Sequence, residues 1–168
     1  MVIAKLNCPS NSLFNCSINL NEIDSDSWDA VLETNLRSIH LLMRAAIPTL
    51  EKSNNASVVN IASIEGHHPA RGHSHYSTSK AGLLMLTKSA ALEYADFGIR
   101  VNSVSPGLID DGNLKERWPE GLNRWLDSAP LRRVGSPKDV ANAVVFLSSP
   151  MASWITGSDL VVDGGVSS

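Results

Sequence analysis

Apolar residues recur along the chain at the helical period in three segments. Two long helices are predicted, one from about residue 27 to 52 and one from about 74 to 96. Asp26 is a plausible N-cap for the first, and Gly98 stands where a left-handed cap would end the second. A third helix is predicted after Ser136, because proline follows at the first helical position and an acid at the third.

Short β-branched runs between these helices are typical of buried strands. The predicted strands are Ser57–Ile61, Arg100–Val104 and Asp159–Val162, with Val2-Ile3-Ala4 as a further candidate. Strands alternating with helices predict an α/β fold, a parallel sheet of three to four strands flanked by helices on both faces. Ligands bind at the carboxyl ends of such strands, where Ser63 and Pro106-Gly107 are expected to share one edge.

The rest of the chain is less regular. Residues 1–24 are predicted to be an irregular N-terminal segment, and 108–130 a partly helical flap. Trp118, Leu122 and Trp125 either pack this flap over a substrate or simply belong to the core. The length of 168 residues suggests that 1–168 form a single domain.

Composition narrows the classes of partner. With 43% hydrophobic residues, 18% charged residues and a net charge of -3, the chain gives no reason to expect nucleic acid as a partner. No apolar stretch is long enough to span a membrane, and the first six residues are too short for a secretory signal. Cys8 and Cys16 are predicted to be free thiols, which favours a cytoplasmic location.

Tyr76 and Lys80 carry the candidate chemistry. Their i, i+4 spacing puts a phenol and an ammonium on one face of the second predicted helix. A neighbouring cation lowers the pKa of a phenol from its ordinary value near ~10. Lys80 together with a cationic nicotinamide could therefore make Tyr76 an acid/base for an alcohol or ketone. By itself such a pair is more often a surface contact.

Ser63 and Asn35 strengthen this hypothesis. The Ser63 hydroxyl could hold a substrate oxygen, although a serine at this place also forms turns. Asn35 falls on the apolar stripe of the first long helix, where a buried amide needs hydrogen-bond partners. It is either a structural bridge to the backbone or a water-holding group that relays protons to Lys80.

Four histidines precede Tyr76. His67, His68, His73 and His75 match no known zinc pattern, so residues lining the substrate cleft or facing solvent are favoured over a metal site.

Together these residues resemble the short-chain dehydrogenase/reductase family. The resemblance runs from about Asp24 to Gly165, and the matching runs are Trp28–Leu36, Val58–Ser63, Tyr76–Gly82, Gly98–Gly107, Trp154–Gly157 and Val162–Gly165. It implies hydride transfer between an alcohol and a carbonyl with NAD or NADP as cofactor. A small-molecule substrate and a homo-oligomer, dimer or tetramer, are also implied.

The resemblance also implies a role for each matching residue. Tyr76 would be the acid/base, and Lys80 would bind the nicotinamide ribose and lower the Tyr pKa. Ser63 would orient the carbonyl and Asn35 would support the proton relay. Residues expected to line the nicotinamide pocket are Pro106, Gly107 and Ile109.

Two departures from the family pattern weaken the expectation that this chain is active. No threonine follows at Leu108–Gly112, where the family usually contacts the nicotinamide amide. The first glycine of the chain is Gly66, so no Gly-rich phosphate loop precedes the catalytic segments. The resemblance therefore implies a truncated member with a truncated Rossmann-like parallel sheet, and binding of the cofactor by this chain alone is in doubt. The alternatives are a catalytically inactive member and a folded or oligomerising module.

Overall fold

The computed structural model describes residues 2–3 and 17–168. They contain a parallel four-stranded sheet in the order β1-β2-β3-β4. The strands are β1 (Val2–Ile3), β2 (Ser57–Ile61), β3 (Arg100–Pro106) and β4 (Asp159–Val162). The predicted Rossmann-like sheet is thus confirmed, and β3 continues two residues beyond its predicted end. Ala4, Cys8 and Cys16 lie outside the described residues.

Helices connect and cover the strands. They are α1 (Ser25–Leu32), α2 (Ser38–Leu50), α3 (Ser74–Glu93), α4 (Leu114–Arg117), α5 (Pro119–Ser128) and α6 (Pro137–Ser148). A π-helical turn, Glu33–Arg37, joins α1 to α2 without a break. Short 3-10 turns occur at Leu20–Glu22, Ile64–Gly66, Ala95–Phe97 and Pro150–Ala152. None of the helices in the described ranges is both long and apolar enough to cross a membrane.

The first long helix begins earlier than predicted, and its N-cap is Asp24 rather than Asp26. Asp24 has extended backbone angles, and its carboxylate accepts a hydrogen bond of 2.7 Å from the Ser27 backbone N–H. Asp26 lies inside the first turn instead, where its negative charge suits the helix dipole. Asp24 therefore caps the helix, because it lies three residues before Ser27, whose backbone N–H has no partner within the helix.

Other helix ends follow the predictions more closely. Gly98 has a φ of 68°, the left-handed conformation expected of it, although α3 itself ends at Glu93 and a 3-10 turn intervenes. At the start of α6, the Asp139 carboxylate accepts a 2.7 Å hydrogen bond from the Ser136 backbone N–H. This is half of a capping box and explains why α6 begins at Pro137.

Both faces of the sheet are covered, each by its own apolar cluster. Val58 and Val101 face the cluster formed with α2 and α3, which also contains Met43, Leu83 and Ile99. Val59 and Val104 face the cluster formed with α6, which also contains Val144 and Leu147. Because successive side chains of a strand alternate between faces, β2 and β3 are buried on both sides. Their carboxyl ends are therefore held in fixed positions.

Candidate active site

Ser63 lies directly beyond the carboxyl end of β2. The last ladder bond there runs from the Ala62 N–H to the Val104 carbonyl, at 2.8 Å. The Ser63 hydroxyl then caps the following 3-10 turn by accepting a hydrogen bond of 3.2 Å from the Glu65 N–H. Ser63 therefore has the turn-forming role open to it from sequence, and its side chain is also buried near the amino end of α3.

Tyr76 stands in the first turn of α3, against this loop. Gly66 lets the loop approach closely, since a Cβ there would lie 2.9 Å from the Leu84 side chain and 3.0 Å from the Lys80 backbone. The approach brings the Tyr76 phenol within hydrogen-bonding reach of Ser63. Two residues that the sequence placed on different elements thus share one site.

Lys80 lies one turn further along α3 and is almost completely buried, with 3% of its surface exposed. Its ammonium donates a 2.9 Å hydrogen bond to the Ile61 carbonyl and lies 5.7 Å from the centre of the Tyr76 ring. Burial lowers the pKa of Lys80 to about 8. Among the described residues this is the only hydrogen bond of the ammonium, which leaves two N–H donors available.

The described residues by themselves do not lower the pKa of the Tyr76 phenol. Burial raises the pKa of Tyr76 above its ordinary range, a hydrogen bond from Ser63 opposes this, and the Glu65 carboxylate raises it further. At neutral pH the phenol therefore carries its proton. Lowering its pKa requires additional positive charge, as the sequence-based hypothesis of a joint action by Lys80 and a cationic nicotinamide supposes.

Asn35 lies in the π-helical turn and is buried, as its place on the apolar stripe predicts. Its Nδ2 donates to Ser79 Oγ at 3.1 Å, and Ser79 Oγ donates to the Tyr76 carbonyl at 2.7 Å. Asn35 Oδ1 is buried without a hydrogen-bond partner among the described residues. π-Turns in helices are frequent at functional sites. No pattern in the sequence indicates this bridge through Ser79, and the relay to Lys80 remains a prediction.

Pro106, Gly107 and Ile109 continue from the carboxyl end of β3. In the register of the two strands Ile61 pairs with Val104, so Pro106-Gly107 and Ser63 lie at the same edge of the sheet, as predicted. A Cβ at Gly107 would approach Trp125 and Asp163 to 2.8 Å, and Ile109 bridges to Gly135. Trp125 of the flap therefore packs on the segment predicted to line the nicotinamide pocket.

The histidines before Tyr76 divide into separate environments. His67 pairs with Asp159 at 2.8 Å, and His73 contacts both oxygens of Glu65 at 3.1 Å. His75 is buried, and burial followed by the proximity of His73 lowers its pKa. Within residues 2–3 and 17–168, no group of three or more potential metal ligands is close enough together to hold an ion.

The site offers groups that fit part of a nicotinamide cofactor. Among the described residues two Lys80 donors have no acceptor and the buried Asn35 Oδ1 has no donor, so the former suit the hydroxyls of a ribose and the latter suits an ordered water. The segment from Pro106 to Ile109 borders the same edge. No described residue forms a Gly-rich turn at a helix N-terminus that would receive the cofactor phosphates.

Comparisons with known proteins identify the family to which the chain belongs. The chain belongs to the short-chain dehydrogenase/reductase family: a family model described as enoyl-(acyl carrier protein) reductase matches residues 10–167. The chain is 39% identical over 140 residues to 2,5-dichloro-2,5-cyclohexadiene-1,4-diol dehydrogenase LinX of Sphingobium indicum, covering 83% of this chain and 56% of LinX. It is 40% identical over 152 residues to the 3-oxoacyl-[acyl-carrier-protein] reductase FabG of Buchnera aphidicola, covering 88% of this chain and 60% of that reductase.

Solved structures show the same fold. A short-chain dehydrogenase/reductase from Brucella melitensis superposes with a TM-score of 0.83 at 30% identity, covering 89% of this chain and 60% of that one. An NADPH-bound short-chain oxidoreductase from Pseudomonas aeruginosa, described as having an atypical catalytic center, gives 0.81 at 30% identity, with 89% and 61% covered. The chain thus spans about three fifths of the length of the relatives it matches.

Proposed function

We propose that this chain carries the acid/base part of an NAD(P)-dependent oxidoreductase that interconverts an alcohol and a carbonyl. The observation that supports this most directly is the meeting of the Ser63 hydroxyl, the Tyr76 phenol and the buried Lys80 ammonium at one edge of the sheet. A buried cation beside a phenol is costly to maintain, and such arrangements concentrate at functional sites.

Each side chain has a definite task in this proposal. When bound, a nicotinamide dinucleotide supplies or accepts the hydride. Tyr76 gives its phenolic proton to the substrate oxygen in reduction and takes it back in oxidation. Ser63 donates a hydrogen bond to that oxygen while its charge changes. Lys80 holds ribose hydroxyls and favours the phenolate, and Asn35 holds a water from which Tyr76 is reprotonated.

The substrate is proposed to be a small molecule with a secondary alcohol or a ketone. The named relatives comprise a reductase of 3-oxoacyl groups and a dehydrogenase of a cyclic diol. Both names are consistent with a shared acid/base chemistry whose substrate is selected by the surrounding residues. NADH and NADPH remain equally admissible as cofactors.

Titration of the purified chain with NADH and with NADPH tests the proposal. Trp125 contacts Gly107, so a nicotinamide bound at this edge is expected to quench tryptophan fluorescence. We expect saturable binding in the micromolar to millimolar range, followed by oxidation of the bound cofactor when a 3-oxoacyl thioester is added. Absence of saturable binding at millimolar concentrations of both cofactors would refute an enzymatic role for this chain alone.

A second candidate function is a folded or oligomerising module without catalysis. It is favoured by an open apolar groove between α1, the π-turn and α3, lined by residues such as Ala30, Leu36, Gly82 and Leu86. Leu41, Leu42 and Met85 are exposed on α2 and α3 as well. Light scattering coupled to gel filtration distinguishes the two: a stable dimer or tetramer that binds no cofactor supports the module, and a cofactor-binding chain supports the enzyme.

A further inference from the structure

Glu65 is a carboxylate close to the proposed acid/base that the proposed mechanism leaves unused. It follows Ser63 by two residues, and its side chain is 22% exposed. Both of its oxygens lie 3.1 Å from His73 Nδ1, and its Oε2 also accepts a 3.2 Å hydrogen bond from the Ser77 hydroxyl. His73 and Ser77 belong to the N-cap and first turn of α3, on either side of Tyr76 in sequence. The three side chains therefore tie the loop after β2 to the start of the catalytic helix.

The negative charge of Glu65 works against Tyr76. A carboxylate near a phenol disfavours the phenolate, and Glu65 adds to the burial that already raises the pKa of Tyr76. The Glu65 charge therefore opposes formation of the Tyr76 phenolate unless another group neutralises that charge. The Lys80 ammonium donates to the Ile61 carbonyl, and among the described residues the ion-pair partner of Glu65 is His73, so Lys80 does not neutralise Glu65 directly.

His73 is placed to compensate Glu65. Its hydrogen bond to Glu65 raises the pKa of His73, burial opposes this, and the charge of Glu65 raises it again. The His73 ring also meets the Tyr76 ring edge to face, with 6.5 Å between centroids. Below its raised pKa, His73 is an imidazolium and the pair is neutral; above it, the Glu65 charge is uncompensated. His75, buried on the same turn, is disfavoured as a second cation because the pKa of His75 is lowered by burial and by His73.

We propose that Glu65 and His73 form a positioning pair for Tyr76, in which the proton on His73 determines how much of the Glu65 charge acts on the phenol. This inference rests on the proposed function, since it takes Tyr76 to be the acid/base. A purely structural tether predicts something different: loss of either partner would lower stability without changing the pKa of Tyr76.

The pair can be tested without turnover. The chain contains two tyrosines, so Tyr94→Phe leaves Tyr76 alone, and biosynthetic incorporation of trifluorotyrosine then labels only position 76. This analogue is a far stronger acid than tyrosine, which brings its ionisation into a pH range that the folded protein tolerates. Glu65→Gln is expected to lower the pKa at position 76 by about half a unit or more, read from phenolate absorbance. Glu93→Gln, an equal charge change at the far end of α3, is the control and should leave it unchanged.

The proton on His73 is measured separately by NMR. The His73 ring signal, assigned among the five histidines by its absence in His73→Gln, is expected to titrate above the ordinary value of about 6.5. In Glu65→Gln it should titrate clearly lower, whereas His68→Gln on the exposed loop should not affect it. An unaltered His73 pKa in Glu65→Gln, or an unaltered pKa at position 76, would overturn the proposal. Should Glu65→Gln not fold, a His73 that titrates at or below about 6.5 in the unmodified chain overturns it as well.

The pH profile of alcohol oxidation is a further test, because a purely structural role of Glu65 and His73 would leave the profile unshifted. In Glu65→Gln the rise of rate with pH should shift to lower pH, because the phenolate forms more easily. In His73→Gln the rise should shift the other way, because Glu65 is then never compensated. Equal losses of rate with unshifted profiles would contradict the pair. If the cofactor titrations fail, the enzymatic proposal fails, while the absorbance and NMR measurements still decide the pair.

Discussion

Lys80 on α3 and Arg100 on β3 are both buried cations, and they differ in the number of hydrogen-bond acceptors around them. The Arg100 guanidinium donates to the carbonyls of Leu147, Ser149 and Ile155, at 2.7, 3.3 and 3.4 Å, and so caps the carboxyl end of α6. Lys80 is more deeply buried, at 3% against 9% exposure, yet it has the single carbonyl of Ile61 as a partner among the described residues.

We interpret this difference as that between a structural cation, Arg100, and the cation that we propose to be functional, Lys80. Arg100 is satisfied by the fold, because backbone carbonyls at a helix end attract positive charge and accept its hydrogen bonds. Lys80 is left short of acceptors, and the depression of its pKa to about 8 expresses the cost of keeping it charged there. A buried charge that the fold leaves incompletely solvated is stabilised only when a ligand completes its partners.

The largest expected effect is on catalysis at Lys80. Lys80→Met removes the charge beside Tyr76 and the donors for a ribose, so turnover should fall by at least about 1000-fold, or ~4 kcal/mol. Its stability should be equal to or higher than that of the unmodified chain, because a desolvated cation is replaced by an apolar side chain of similar length. Turnover and urea denaturation measure the two quantities. A variant that loses stability and keeps its turnover would reverse the assignment.

Arg100 should show the opposite behaviour. Arg100→Met leaves three carbonyls without their donor, and the free energy of unfolding should fall by about 3 kcal/mol. Arg44→Met, an exposed arginine on α2, is the matched control and should stay within about 0.5 kcal/mol. The loss is measured from the shift of the denaturant midpoint, provided that the dependence of the unfolding free energy on denaturant keeps the same slope. A loss at Arg100 no larger than the control would mean that its hydrogen bonds do not stabilise α6.

The pH dependence of stability sharpens the contrast further. Because the pKa of Lys80 is lowered in the folded chain to about 8, the unfolded chain binds more protons between pH 8 and about 10. Stability should therefore rise over this window by a contribution on the order of 2 kcal/mol that is lost in Lys80→Met. The comparison requires chemical denaturation of both proteins at several pH values. Parallel curves for the two proteins would show that Lys80 retains an ordinary pKa.

The smallest effect concerns two buried asparagines. Asn102 uses both ends of its amide, donating to the Ile155 carbonyl at 2.9 Å and accepting from the Ser158 N–H at 3.0 Å. Asn35 has an unpaired oxygen among the described residues. Asn102→Leu should therefore cost about 2 kcal/mol and Asn35→Leu about 1 kcal/mol or less, measured by urea denaturation. Equal losses would show that Asn35 is a structural bridge of the same kind as Asn102.

Much of the fold could be predicted from the sequence because it depends on local patterns. The β-branched runs defined β2 and β4, and the Ser-Pro start defined α6, since periodicity and capping are properties of neighbouring residues. The N-cap of α1 was assigned wrongly because two acids two residues apart offer the same chemistry. The choice between Asp24 and Asp26 depends on backbone angles, which composition does not encode.

The candidate site could be predicted only in part from such local patterns. The spacing of Tyr76 and Lys80 predicts that they share a helix face, and strand order predicts that Ser63 lies at the same edge as Gly107. The Glu65–His73 contact and the bridge from Asn35 to Ser79 join segments far apart or within an irregular loop. Such contacts depend on how a loop packs against a helix, which no periodic pattern reports.

The most direct test of the central claim compares the two tyrosines of the chain in one assay. Tyr76→Phe removes only the hydroxyl proposed to exchange the proton, and Tyr94→Phe makes the same change at a residue that packs against the core at the end of α3. With cofactor binding retained in both, turnover of Tyr76→Phe should fall by at least about 1000-fold, whereas Tyr94→Phe should remain close to the unmodified chain. Turnover in Tyr76→Phe within tenfold of the unmodified chain would contradict the assignment of Tyr76 as the acid/base.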